Sequence, residues 1–343
     1  TVTANANVIA TASGQNILMK SRGGIVLADN VTIQTAGGST ATIVFWTSST
    51  GTSGYIMDIN SRVCINTQGG CTSAQETGGA SIYIGGGSAG TTYPTGPVLG
   101  GGNTAIWLGN GTSGSKKIYS AGGDISVQGT ATAGHGMHIS AGTDMDSGAG
   151  SMTFVGQSSG TNGSGIYLCW VRSQAGCTFT SSKTSGTAIS FSGTATGGTS
   201  NGGWPAGING DNGAAGYMST IKADGGGDIQ MTGSSVWWDM ILTSLNVYAT
   251  TGDIYYNAGN DGILFAHQGP QVTGGATSSA SSADVFITGE ISEPQAHLAR
   301  ETGVAFLACG HHASERYGAP AVAARVAQDL GMQHRFIDID NPA

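Results

Sequence analysis

Through the first 280 residues the apolar positions arrive in short bursts of one spacing. A glycine or other small residue comes first, then an apolar residue, any residue, and a second apolar residue. The bursts are GIVL (24–27), ASIYI (80–84), GDISV (123–127), GMHI (136–139), GSMTF (150–154), GIYL (165–168), AISF (188–191), GDIQM (227–231), GDIYY (252–256) and GILF (262–265). Alternation with period two over so few positions predicts short strands. Gly, Ser, Thr, Asn and Asp fill the intervals and turn the chain through positive φ or local side-chain hydrogen bonds. No amphipathic helical stretch of ordinary length interrupts them.

Strands this short are not stable as isolated hairpins, but stacked in register they bury one continuous core. The pattern therefore predicts a mainly β chain: a β-solenoid over residues 1–280, with glycines at its corners and Ser or Thr on its outside. The spacing of the bursts is irregular, and an array of β-sandwiches with long loops stays open as the alternative. The bulky runs IVFW (43–46), YLCW (167–170) and VWWDMIL (236–242) are expected in wider parts of the interior or on a contact face. No capping helix is evident at the amino terminus, so open edges predict self-association into a homo-oligomer or filament.

After Ser281 the pattern changes. ADVFITG (283–289), VAFLACG (304–310) and MQHRFIDID (332–340) read as strands, EPQAHLARETG (293–303) as a helix, and 311–331 as a long helix or a broken pair. Alternating strands and helices predict a small α/β segment, residues 281–343, with a mainly parallel sheet. Composition agrees with the boundary. Of 60 glycines, 55 precede Ser281, whereas the last 63 residues hold 12 charged side chains against 20 in the first 280.

A net charge of −8 without a basic cluster argues against nucleic acid and against an anionic membrane surface as partners. No run of about 18 apolar residues is present, which predicts no membrane span. Thr1 opens without a basic n-region or apolar h-region, so an exported chain would be in its mature form. Cys64 and Cys71 enclose INTQGG, and Cys169 and Cys177 enclose WVRSQAG. Each pair could close a hairpin-sized loop as a disulfide, which implies an extracellular or cell-surface setting; four unrelated buried thiols are the alternative. Neither spacing is a zinc knuckle, and no histidine lies beside either pair. Cys309 is expected to stay reduced.

Metal chemistry is suggested only near the end, in GHHASERYG (310–318). His311 and Glu315 lie four apart and would project from one helix face, offering an imidazole and a carboxylate to a divalent metal; His312 points elsewhere. The bland reading is a helical pair without metal. Glu290 and Glu293 read as helix-start residues, Arg316 and Tyr317 as local packing, and Asp338 and Asp340 as edge charges. HGMH (135–138) reads as a solvated glycine-rich turn rather than a ligand set, and His267 has no partner in sequence.

The GDI and GxIxL bursts in Gly/Ser/Thr-rich spacers resemble the filamentous-haemagglutinin-like surface proteins over residues 1–275, which implies a secreted adhesin or stalk. Residues 284–343, with ITGE, GHHASERYG and FIDIDNP as anchors, resemble the carboxyl-terminal segment of the GTP cyclohydrolase 1 type 2-like dinuclear metal proteins. That resemblance implies metal-binding roles for His311 and Glu315. The family also takes ligands from its amino-terminal half, and nothing here matches them. Three functions are thus expected: an extracellular fibre or adhesin with a surface or host ligand, a metal-dependent hydrolase of nucleotide-like substrates, or a β-rich stalk presenting the tail.

Overall fold

A computed structural model describes residues 1–28, 31–36, 41–48, 57–59, 62–65, 77–87, 93–100, 104–108, 116–169, 176–197, 205–210, 219–242, 245–259, 263–265, 285–288, 297, 300, 305–308, 310 and 318–337. The chain divides into two compact units, Thr1–Ser281 and Ser282–Ala343.

The first unit is built from three sheets. The first contains β1 (Val2–Ala4), β4 (Ile25–Leu27), β7 (Met57–Ile59), β11 (Ile106–Leu108), β14 (Met137–Ile139), β17 (Ile166–Leu168), β20 (Ala206–Asn209), β23 (Trp238–Leu242) and β26 (Ile263–Phe265), paired in that order. The second contains β3 (Ile17–Ser21), β6 (Ile43–Ser48), β9 (Ile82–Gly87), β13 (Ile125–Ala131), β16 (Met152–Ser158), β19 (Thr187–Ala195), β22 (Asp228–Ser235) and β25 (Ile254–Ala258), with β10 (Val98–Gly100) beside β13. The third contains β2 (Val8–Ala10), β5 (Thr32–Thr35), β8 (Arg62–Ile65), β12 (Lys116–Tyr119), β15 (Thr143–Asp146), β18 (Thr178–Ser181), β21 (Ser219–Ala223) and β24 (Leu245–Ala249). Each sheet takes every third strand, apart from the extra strand β10, so three consecutive strands make one repeat, termed a circuit. The strand pairings within these sheets are parallel, which removes the antiparallel sandwich array.

Register explains how such short strands hold together. Ile17, Ile43, Ile82, Ile125, Met152, Ile189, Ile229 and Ile254 form one row across the second sheet. All but Ile254 are buried. Two positions on, Phe154 and Phe191 stack at 4.6 Å, and Phe179 of the third sheet meets both edge-on, at 5.6 and 5.3 Å. All three rings are fully buried. A one-residue slip would turn such a row outward, so burial fixes register.

The corner leading into the first sheet is closed by paired glycines: Gly129 with Gly136, Gly156 with Gly165, and Gly193 with Gly207. A Cβ on Gly165 would lie 2.7 Å from the carbonyl oxygens of both Gly156 and Gly207, so the backbones approach too closely for a side chain. Another corner is filled by the fully buried Ser120, Ser147 and Ser181, whose hydroxyls donate to turn carbonyls such as those of Gly123 and Gly150. Backbone carbonyls that the turn leaves unpaired are thereby satisfied.

The bulky runs divide. Trp46 is buried, donates from Nε1 to Gly87 O at 3.1 Å and lies beneath Lys20 Nζ at 3.8 Å, whereas Trp237 is exposed. Trp170 lies outside the described residues.

In the second unit, β27 (Val285–Thr288) and β28 (Ala305–Ala308) pair in parallel, followed by a helix at Gly318–Leu330. His297 and Arg300 are helical. The helix ends as its sequence predicts: Gly331 has φ +64°, its N–H bonds Gln328 O, and the Met332 N–H bonds Ala327 O at 2.8 Å. Residues 332–337, expected as a strand, are exposed and have no regular structure. Among the described residues no strand lies beside them to complete a ladder.

Candidate functional sites

In the tail, β28 leads to Gly310, whose φ of +86° turns the chain immediately before the predicted ligand loop. His311, His312, Glu315, Arg316 and Tyr317 lie outside the described residues, as do Cys309, Glu290, Glu293, Asp338, Asp340 and His267. Of the span 311–331 expected to be helical, Gly318–Leu330 is a helix, with Pro320 near its start, where a missing N–H is tolerated. Val322, Val326 and Leu330 are all exposed on it, and Arg325 pairs with Asp329 at 2.9 Å in solvent. Among the described residues no cluster of three or more His, Cys, Asp or Glu could hold a metal. None of their helices is long and apolar enough to cross a membrane.

One expected cysteine pair is observed. Cys169 and Cys177 form a disulfide between the end of β17 and the start of β18, and both are buried. Cys169 takes a φ of +62°, donates from its N–H to Ile139 O at 2.6 Å and thereby stays tied to the previous circuit. The Cys64–Cys71 pairing lies outside the described residues.

The histidines of HGMH correct the expectation of a solvated turn. His138 is buried in β14, and its ring stacks on Trp107 of β11 at 4.8 Å and meets Tyr167 of β17 edge-on at 5.3 Å. His135 stacks almost parallel on Tyr167 at 4.6 Å and faces His138 edge-on at 5.6 Å. Trp107, His138 and Tyr167 share one register row, because IWL, MHI and IYL repeat the same strand with an aromatic ring at its middle position. That coincidence is the signal that single-motif reading passes over. Desolvation lowers the His135 pKa from 6.5 to about 4, so its imidazole is neutral at ordinary pH. On the third sheet, burial and then the hydrogen bond it donates to Asp144 hold the Tyr119 phenol far above its ordinary pKa.

The geometry thus defines a mainly β unit of parallel sheets joined to a short segment with a parallel strand pair and a helix. Residues 272–342 match the model of the Duf34/NIF3 (NGG1p interacting factor 3) family. The tail is similar to the GTP cyclohydrolase 1 type 2 homolog of Allochromatium vinosum, at 53% identity over 60 residues, 18% of this chain and 24% of that protein. The corresponding homolog of Pseudomonas aeruginosa is 47% identical over 64 residues, 19% and 25% of the two chains. That of Salmonella typhimurium is 47% identical over 76 residues, 21% and 31%. The chain therefore spans about a quarter of the length of the curated relatives it matches. No solved structure matches it.

Proposed function

We propose that the carboxyl-terminal segment is a partial metal module of the GTP cyclohydrolase 1 type 2-like kind. In this reading His311 and Glu315 give two ligands to a divalent metal, a part of the ligand set that hydrolytic chemistry on a nucleotide-like substrate would need. The observation that carries it is the 53% identity over 60 residues. Bound metal would supply an activated water and a clamp for phosphate-like oxygens. Two donors are fewer than the three protein ligands usual in a catalytic site, so no catalytic step is assigned to this chain's own residues. The test is metal analysis of the full chain after dialysis against a divalent ion, alongside His311→Ala and Glu315→Ala. Weak, substoichiometric binding lost in both variants, without nucleotide hydrolysis, is expected. Metal retention equal in all three proteins would overturn the reading.

The topology favours a second reading for the first unit. We propose that it is a β-solenoid acting as an extracellular or cell-surface scaffold, adhesin-like in character, which presents the tail and self-associates through open strand edges. Its support is the return of every third strand to the same parallel sheet, together with a disulfide of the kind that persists in oxidising compartments. A monodisperse monomer over a wide concentration range, with no fibres by electron microscopy, would count against it.

A further inference from the structure

A column of side-chain acceptors runs through the corner that leads into the first sheet. Thr104 Oγ1 accepts the backbone N–H of His135 at 3.2 Å; His135 Nδ1 accepts that of Ser164 at 3.0 Å; Ser164 Oγ accepts that of Ala206 at 3.3 Å. Backbone bonds run alongside, from Ala105 N to His135 O, Gly136 N to Ser164 O and Gly165 N to Ala206 O. Four successive circuits are stitched at one corner, and three different side chains do it. Two are hydroxyls, which accept at any ordinary pH. The third is an imidazole, which accepts only while neutral.

We propose that His135 is an acid-sensitive latch: protonating Nδ1 turns the acceptor into a donor facing the Ser164 N–H and opens the column at its middle. The neutral ring must carry its proton on Nε2, since Nδ1 is occupied as acceptor. Opening this bond also frees the parallel stack on Tyr167, so the loosening reaches the row formed with His138 and Trp107. The titratable rings that face His135 are His138 and Tyr167, and desolvation is the resolved cause of its depressed pKa. The sign follows. The folded form resists protonation between 6.5 and about 4, so the latch is intact above pH 6.5 and is lost progressively as pH falls through 4.

The experiment is amide exchange of the full chain from pH 7.5 to 4, corrected for intrinsic exchange, read at peptides containing Ser164. Opening there should rise on the order of a hundredfold by pH 4. In His135→Asn, whose Oδ1 keeps an acceptor that does not titrate, the rise should vanish while the carboxylates of the chain are unchanged. Should that variant fail to fold, the proton titration of the His135 ring in the wild-type protein decides: a midpoint near 4 supports the latch. A midpoint near 6.5, or the same acid-induced opening in wild type and His135→Asn, would overturn it.

Discussion

Phe154 in the second sheet and Val326 in the tail helix are both apolar residues in regular structure, yet Phe154 is 0% exposed and Val326 is 47% exposed. The first is covered by Phe191, one circuit later, and by Phe179 from another sheet. Each circuit of the β unit is the lid of the one before it, so burial there is supplied from within the unit. The tail has a well-formed helix with a proper stop, but Val322, Val326 and Leu330 are all left in solvent. Local helix signals set where the element ends. They do not supply what covers it.

The largest effect is expected from Phe154→Ala. Removing a fully buried ring from a three-ring cluster should cost about 3–5 kcal/mol, read as a lower denaturation midpoint for the β unit. A cost below about 1 kcal/mol would mean that the circuits do not cover one another as described. Replacing Cys169 and Cys177 together by serine should cost about 2.5 kcal/mol, the chain-entropy value for a loop closed over a sequence separation of 8. A reducing agent should reproduce that loss in the wild-type protein. Smallest is Val326→Ser, which should change stability by no more than about 0.5 kcal/mol because the side chain is already in water. A loss comparable to that of Phe154→Ala would show that the helix is covered in solution after all.

The sequence bursts read the fold unevenly, and the reason is local. GDISV, GSMTF, GDIQM and GDIYY fall in the second sheet, and GIVL, GMHI, GIYL and GILF in the first. None falls in the third. Its strands TIQT, KKIY and TFTS keep one principal inward anchor, such as Ile33, Ile118 or Phe179, and lack a leading glycine, while TDMD follows Gly142 but has Met145 as its single apolar anchor. A motif built on a corner glycine and two anchors passes over them. The Cys169–Cys177 bond was legible because its partners are close in sequence. The environment of His135 was not, because Thr104, Ser164 and Tyr167 come from other circuits. For His311 and Glu315, family likeness carries the assignment and spacing alone does not.

The circuits also differ in length. Val2 pairs with Ile25, whereas Met57 pairs with Ile106, although each pair is one step along the same sheet. Since adjacent strands stand about 4.8 Å apart however much chain connects them, each sheet widens by the same step per strand whatever the residue count between strands. Chain inserted between strands leaves that step unchanged. Only the gain or loss of a whole three-strand repeat would change the number of steps, by one in each sheet.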